Sequence, residues 1–259
     1  MNVEDFLSFP PPLGSVIMII QMQAGSINPS NDATYGGGGA NGKGYLSMNG
    51  NGYYEFNYVT SVSGMGNIYS LNLQYTIAGT FSNSGAAKFQ VVVVPYCGTA
   101  TVIGSSAPYI PWNGRYGGVV ALLAHDFILD GIIDVRGKGF RGGEVSAPSS
   151  TFGNHPQDLN YVDDTGGDIT SNRKNSYKGE GSIGMPRFGS NASLYPGQDD
   201  SARGSPGSAG GGGNYANAGG GGSNAGNGGD GGVVGFTNRI GLGALPAPVN
   251  SGHLYLGTY

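Results

Sequence analysis

The sequence is poor in charge and in cysteine. Only 11% of its 259 residues are charged, the formal net charge is −4, and Cys97 is the single cysteine. Ordinary domains carry charge on about a quarter of their residues. One cysteine excludes an internal disulfide framework, and an acidic chain without a basic cluster gives no electrostatic support for binding nucleic acid. This composition favours a secreted or surface-exposed protein over a cytosolic enzyme.

Long hydrophobic runs are also missing. The run from Val16 to Ile20 is too short to span a membrane, and the start Met-Asn-Val-Glu-Asp lacks the basic residues of a signal peptide. The sequence therefore predicts no membrane span, and we expect it to belong to a longer precursor. Cys97 follows the apolar run Val91–Val94, so we expect it to be a small buried residue.

Glycine is abundant instead, with 52 residues. Between Gly204 and Gly232 every third residue is small, because this phase holds only glycine apart from Ala216 and Ala225. A three-residue period is that of the polyproline II helix, and a bare edge lets backbones approach and exchange hydrogen bonds. A flexible linker is the alternative. The period predicts that eight glycines pack polyproline II helices together: Gly204, Gly207, Gly210, Gly213, Gly219, Gly222, Gly228 and Gly231.

The length of this tract predicts more than one helix. A continuous polyproline II helix here would run for about 90 Å at about 3.1 Å per residue, which is too long for one domain of this size. We therefore expect several short helices folded back on one another, with Tyr215 at a turn. Gly210, Gly213, Gly219 and Gly222 should face backbone, so Gly213→Val should cost more stability than Gly212→Val.

Strand patterns fill the amino half. Residues 14–23, 53–62, 67–78 and 88–95 are rich in Val, Ile and Tyr, and the run 91–94 predicts a strand buried on both faces. Three short strands within 117–135 are typical of β-solenoid rungs or a sandwich edge.

These patterns predict an all-β fold with almost no α-helix. The amino-terminal part is a β-sandwich or short β-solenoid, followed by a glycine-rich polyproline II bundle with long ordered loops. The expected boundaries are an extended proline-rich arm over 1–13, an all-β domain over 14–136, and a glycine-rich region over 137–259 that ends in a short strand.

Motifs that would carry chemistry are weak. Residues 137–142 match the G-x-G-x-x-G pattern, but loop residues follow instead of the helix that would hold a pyrophosphate. The three histidines have no zinc spacing, and there is no nucleophile elbow. The sequence therefore predicts no catalytic residue and no cofactor. Weak candidate ligands for Ca²⁺ are Asp158, Asp163, Asp164 and Asp168; solvated loop carboxylates are the favoured interpretation.

Several segments together resemble a known family. They are Ile19-Ile-Gln-Met-Gln23, Phe89-Gln-Val-Val-Val-Val-Pro95, Pro111-Trp-Asn-Gly114, Gly117-Gly-Val-Val-Ala121, Gly139-Phe-Arg-Gly-Gly143, Lys178-Gly-Glu-Gly181 and the run 203–213. They are similar to the glycine-rich module of large secreted surface and adhesin proteins of Bacteroidetes and related bacteria, some exported by the type 9 system. The resemblance spans residues 16–257 and implies a noncatalytic extracellular structural protein, a subunit or module of a bacterial surface filament or adhesin.

Other functions stay open at this point. A tip adhesin that binds a receptor or glycan, similar to phage tail-fibre tips, would use exposed loop aromatics, and an enzyme ranks third. Self-association into a homo-oligomer or fibre is expected because residues 1–13 and 253–259 could each complete a neighbour's sheet. The expected location is extracellular or on the cell surface. The candidate ligand-contacting aromatics are Tyr161, Tyr177, Tyr195 and Tyr215.

Overall fold

A computed structural model describes residues 2–4, 10–28, 34–37, 42–106, 110–142, 178–183, 204–212, 220–223, 227–232 and 241–245. This part of the chain includes no helix, and so none that is long and apolar enough to cross a membrane. It is all-β or mostly β, as predicted. Its strands are β1 (Asn2–Glu4), β2 (Val16–Gln23), β3 (Lys43–Gly44), β4 (Tyr54–Met65), β5 (Ile68–Leu73), β6 (Lys88–Val94), β7 (Tyr96–Ser106), β8 (Leu123–Ile133) and β9 (Ser205–Pro206).

Five strands form an antiparallel sheet in the order β1-β5-β4-β2-β6. The apolar run that starts β2 places this strand at the interior of the sheet, where both faces are covered. Ile17 and Ile19 are fully buried on one face. On the other face Met18 is paired in register with Phe56 of β4 and Val92 of β6.

The two faces of this sheet carry separate apolar cores. One core contains Val16, Met18, Phe56 and Val94, and residues 119–123 pack against it through Val119, Ala121 and Leu123. The core on the opposite face contains Ile17, Ile19, Val59 and Leu71. The period-two alternation along β2 assigns its side chains to these two cores.

Three buried polar side chains on the second face hold the segment 74–82. Gln21, Glu55 and Asn57 all point from β2 or β4 toward the backbone of this segment. Buried backbone groups without partners are costly, so these contacts let an irregular segment cover a sheet. Backbone N–H groups of the segment donate to the side-chain oxygens in four hydrogen bonds: Ser82 N to Gln21 Oε1 (2.7 Å), Ala78 N to Glu55 Oε2 (3.1 Å), Gly79 N to Glu55 Oε1, and Tyr75 N to Asn57 Oδ1 (3.1 Å).

A second, smaller sheet is a ribbon of two parallel strands, β7 and β8. Their register is constant from the pair Tyr96 and Leu123 to the pair Ser106 and Ile133. The prediction of three short strands within 117–135 was wrong, because β8 is one strand of 11 residues that runs through Gly131. Strand β7 was not predicted at all.

Three further expectations change at the sheet edges. Cys97 is half-buried rather than buried, with its Sγ 3.9 Å from the carbonyl oxygen of Leu123. Strand β6 is not buried on both faces, since Val93 is 47% exposed at the edge of the sheet. Within the predicted amino-terminal arm, Asn2–Glu4 pairs with β5 of its own chain.

Residues 204–207 of the glycine-rich half are hydrogen-bonded to residues 42–44 of the amino-terminal half. Strand β3 pairs in parallel with β9, and Ser205 N and Gly207 N donate to the carbonyl oxygens of Gly42 and Gly44 at 3.0 and 2.8 Å. A small apolar core of Ile27, Tyr35 and Ile183 lies close to this junction.

Candidate functional site: the glycine-rich segments

Five described segments exchange backbone hydrogen bonds with one another, and we call them the glycine-rich segments: 178–183, 204–212, 220–223, 227–232 and 241–245. Only residues 205–206 among them belong to an assigned strand. The donor-to-acceptor pairs are Gly179 to Gly210 (3.1 Å), Gly211 to Leu242 (2.9 Å), Gly220 to Gly211 (2.9 Å), Gly221 to Gly229 (2.8 Å), Ala244 to Gly221 (3.0 Å), Gly228 to Ala244 (2.9 Å) and Gly231 to Gly241 (2.9 Å).

The segment 241–245 exchanges backbone hydrogen bonds with three of the other segments. It accepts from 204–212, donates to 220–223, and accepts from 227–232. Residues 241–244 are all buried. A β-strand has two edges and so pairs with two neighbours, whereas this segment bonds to three.

Several of these glycines leave no room for a side chain. A β-carbon on Gly210 would overlap the carbonyl of Gly220, and one on Gly228 would overlap the carbonyl of Gly221. The same holds for Gly243 against the carbonyl of Gly228. The backbones therefore touch directly, which only glycine permits.

The eight glycines predicted from the period are placed as follows. Gly210 and Gly228 face neighbouring backbone, and Gly222 lies with its β-carbon position 3.3 Å from the carbonyl oxygen of Ser208. A β-carbon on Gly207 would lie 2.7 Å from the hydroxyl oxygen of Ser182. Gly204 is buried and Gly231 donates to Gly241. Gly213 and Gly219 lie outside the described residues, so the comparison with Gly212 stays a prediction.

The period does not account for every close contact. Gly220 is one residue out of phase, yet a β-carbon there would overlap the carbonyl of Leu242. The segment 241–245, Gly-Leu-Gly-Ala-Leu, lies beyond the periodic tract and was not predicted to join it. Its two glycines spaced by one residue were the available signal, and they are too common in loops to identify it.

A polar junction connects these segments to the rest of the chain. The Glu180 carboxylate accepts two bonds from the Arg141 guanidinium, at 2.7 and 2.8 Å, and one from the indole nitrogen of Trp112 at 3.0 Å. Glu180 and Trp112 are buried, and the ring of Phe140 packs edge-on against Trp112 at 5.4 Å. A two-pronged Arg–carboxylate pair fixes geometry as well as charge, so this junction positions residues 110–118 and 137–142 against 178–183.

A second contact links the same segment to β2. Gln23 is fully buried, donates to the carbonyl oxygen of Gly181 at 3.1 Å, and accepts from Lys88 Nζ at 3.2 Å. Ala24 N and Gly25 N both donate to the Ser182 carbonyl oxygen at 3.0 Å. The pKa of Lys88 is lowered from its ordinary value, chiefly because the side chain is partly buried. The negative charge of Glu180 offsets part of this shift, and the positive charge of Arg141 adds to it.

Lys178 is also buried, and it contacts Tyr35. Its Nζ donates to the Tyr35 hydroxyl at 2.8 Å and lies 4.3 Å from the centre of the Tyr35 ring. Such a cation–π contact is strongest when water is excluded. The charged groups of segment 178–183 thus hold it in place.

The other candidate residues fall outside this arrangement. The four aspartates considered for Ca²⁺ and the four candidate ligand-contacting tyrosines all lie outside the described residues: Asp158, Asp163, Asp164, Asp168, Tyr161, Tyr177, Tyr195 and Tyr215. Within the described ranges, no group of three or more His, Cys, Asp or Glu side chains could hold a metal ion.

The geometry defines a class of protein: a largely β chain to which glycine-rich segments are joined by direct backbone contact. No protein-family model, curated protein or solved structure matches the chain.

Proposed function

We propose that this chain is a noncatalytic extracellular structural protein, a subunit or module of a bacterial surface filament or adhesin. In this proposal residues 14–136 form a sandwich or short solenoid and the glycine-rich segments form a polyproline II bundle. The resemblance to secreted surface modules and the low charge support the extracellular location.

The single observation that carries the proposal is the three-way hydrogen bonding of segment 241–245. A polyproline II helix has three residues per turn and no internal bonds, so its backbone groups point in three directions and can bond to three neighbours. A bundle of such helices is stiff without a large side-chain core. This property suits a load-bearing surface structure.

Charge placement supports a structural role as well. Glu180, Arg141 and Lys178 are used to join segments, and Lys43 pairs with Asp230 at 2.8 Å across two parts of the chain. In the described residues these groups are engaged with protein partners, whereas catalytic groups are aimed at a cleft that a substrate can enter.

Electron microscopy of the purified full chain tests this function. We expect regularly repeating filaments or linear oligomers at high protein concentration, and labelling of intact cells by an antibody against the chain. A strictly monomeric protein that binds a surface glycan on an array would contradict the proposal and favour the tip adhesin.

A further inference from the structure

Gln23 and Lys88 face each other at the end of the main sheet, where it meets the glycine-rich segments. They are paired residues of the neighbouring strands β2 and β6. Lys88 Nζ donates to Gln23 Oε1 at 3.2 Å and to the carbonyl oxygen of Ala86 at 3.3 Å. The pair therefore holds an amine against the carbonyl of a carboxamide, and these two groups can be joined by acyl transfer.

The Gln23 carboxamide is fixed in place and shielded from water. Gln23 is fully buried, and its Nε2 donates to the carbonyl oxygen of Gly181 at 3.1 Å. Both polar atoms of the amide thus have partners, and Cδ between them is held beside the Lys88 amine. Well-oriented groups within one molecule react with effective concentrations of about 10⁵–10⁸ M, which is the kind of acceleration that an unactivated amide needs.

The surroundings of Lys88 favour the neutral amine, which is the nucleophilic form. Its pKa is lowered by partial burial and further by the positive charge of Arg141, although Glu180 opposes the shift. Loss of water and a neighbouring cation are two means by which proteins activate a lysine as a nucleophile. Both are present at Lys88.

We propose that Lys88 and Gln23 form an isopeptide bond within the chain. The Lys88 nitrogen attacks Gln23 Cδ, a new C–N bond forms, and the bond between Cδ and Nε2 breaks. The proton that the amine loses passes to the departing nitrogen, which leaves as ammonia. Nothing is oxidised or reduced, and no further reactant is needed. This inference goes beyond the proposed function and does not depend on it.

The bond would give the chain a covalent restraint that its single cysteine cannot provide within one chain. It joins β2 to β6 beside the point where Ala24 N and Gly25 N donate to the Ser182 carbonyl oxygen. Like a disulfide, a link that closes a long loop restricts the unfolded chain. The cross-linked protein should therefore stay more compact in denaturant than an unlinked chain of the same length.

Intact-mass spectrometry of the purified full chain, followed by tryptic mapping, tests the inference. The protein should be lighter than the mass calculated from its sequence by one molecule of ammonia. Trypsin does not cleave after an acylated lysine, so we expect peptide 1–43 to be recovered joined to 44–115. The joined peptide is the decisive product, because an asparagine followed by glycine, such as Asn49, also loses ammonia when it cyclises within one peptide.

Three variants control for the assignment. Lys88→Arg keeps the charge but removes the nucleophile, and Gln23→Ala removes the acyl group, so each should have its full calculated mass and no joined peptide. Lys138→Arg is the matched control at a lysine away from Gln23, and it should keep the joined peptide. The fluorescence of Trp112, the one tryptophan, shows whether each variant keeps the buried junction.

The mapping of the native chain decides the question even if a variant misfolds. Recovery of 1–43 and 44–88 as separate peptides in the main species would overturn the inference, and so would a joined peptide that persists in Lys88→Arg. Filaments formed by a chain without the bond would leave the proposed function intact, whereas a cross-linked chain that forms no filaments would leave the bond intact.

Discussion

Gly210 and Gly229 differ in the space beside their α-carbons, and this difference shows what the glycine-rich sequence is for. A β-carbon on Gly210 would overlap the carbonyl of Gly220, whereas one on Gly229 would meet nothing within 4 Å. Glycine is costly to order because it has the most conformational freedom to lose. Backbone contact at the β-carbon position explains why Gly210 is glycine, whereas the β-carbon position of Gly229 is open.

We therefore predict that Gly210→Ala destabilises the chain and that Gly229→Ala does not. Gly210→Ala should lower the free energy of unfolding by about 1–3 kcal/mol, because the neighbouring backbone must move. Gly229→Ala should leave it unchanged or raise it by up to about 1 kcal/mol, because alanine restricts the unfolded chain. Urea unfolding measures both, and equal losses would show that the close packing is absent.

At the scale of elements, the ribbon depends on a close approach between its two strands. Gly104 has a φ of +69°, a conformation that other residues rarely adopt. A β-carbon on its partner Gly131 would overlap the Gly104 carbonyl, while Gly98 on the same ribbon has open space. Gly131 therefore has a packing role that Gly98 lacks.

Gly131→Ala should accordingly weaken the ribbon and Gly98→Ala should not. We expect Gly131→Ala to cost about 1–3 kcal/mol and to speed amide hydrogen exchange along β7 and β8. Gly98→Ala should stay within about 0.5 kcal/mol of the native chain. Faster exchange in both variants, or in neither, would contradict this account of the strand contact.

The elements could be predicted from sequence where apolar and β-branched residues are dense. Residues 16–23 and 88–94 are such runs, and both are strands. Strand β7 was missed because Gly98, Gly104 and Ser105 weaken its pattern, and its stability as a strand comes from pairing with β8. The role of Glu180 was likewise invisible, since its partners Trp112 and Arg141 are 68 and 39 residues away.

At the scale of the whole molecule, the glycine-rich segments are attached to the sheet by polar contacts as well as by the small core. Gln23 reaches from β2 to Gly181, and Glu180 joins Arg141 and Trp112. Removing one partner of a buried ion pair leaves an uncompensated charge. The two halves should therefore respond together to perturbation, unlike a domain followed by a loose linker.

The central claim is that the glycine-rich segments are packed backbone against backbone. Residue-resolved amide hydrogen exchange tests it most directly, because the amides of Gly211, Gly220, Gly228 and Ala244 each donate to another segment. The account predicts that these amides exchange far more slowly than in an unfolded chain, with protection comparable to that of Gly25, which donates to Ser182. Exchange of all four at the rate of an unstructured glycine-rich linker would contradict it.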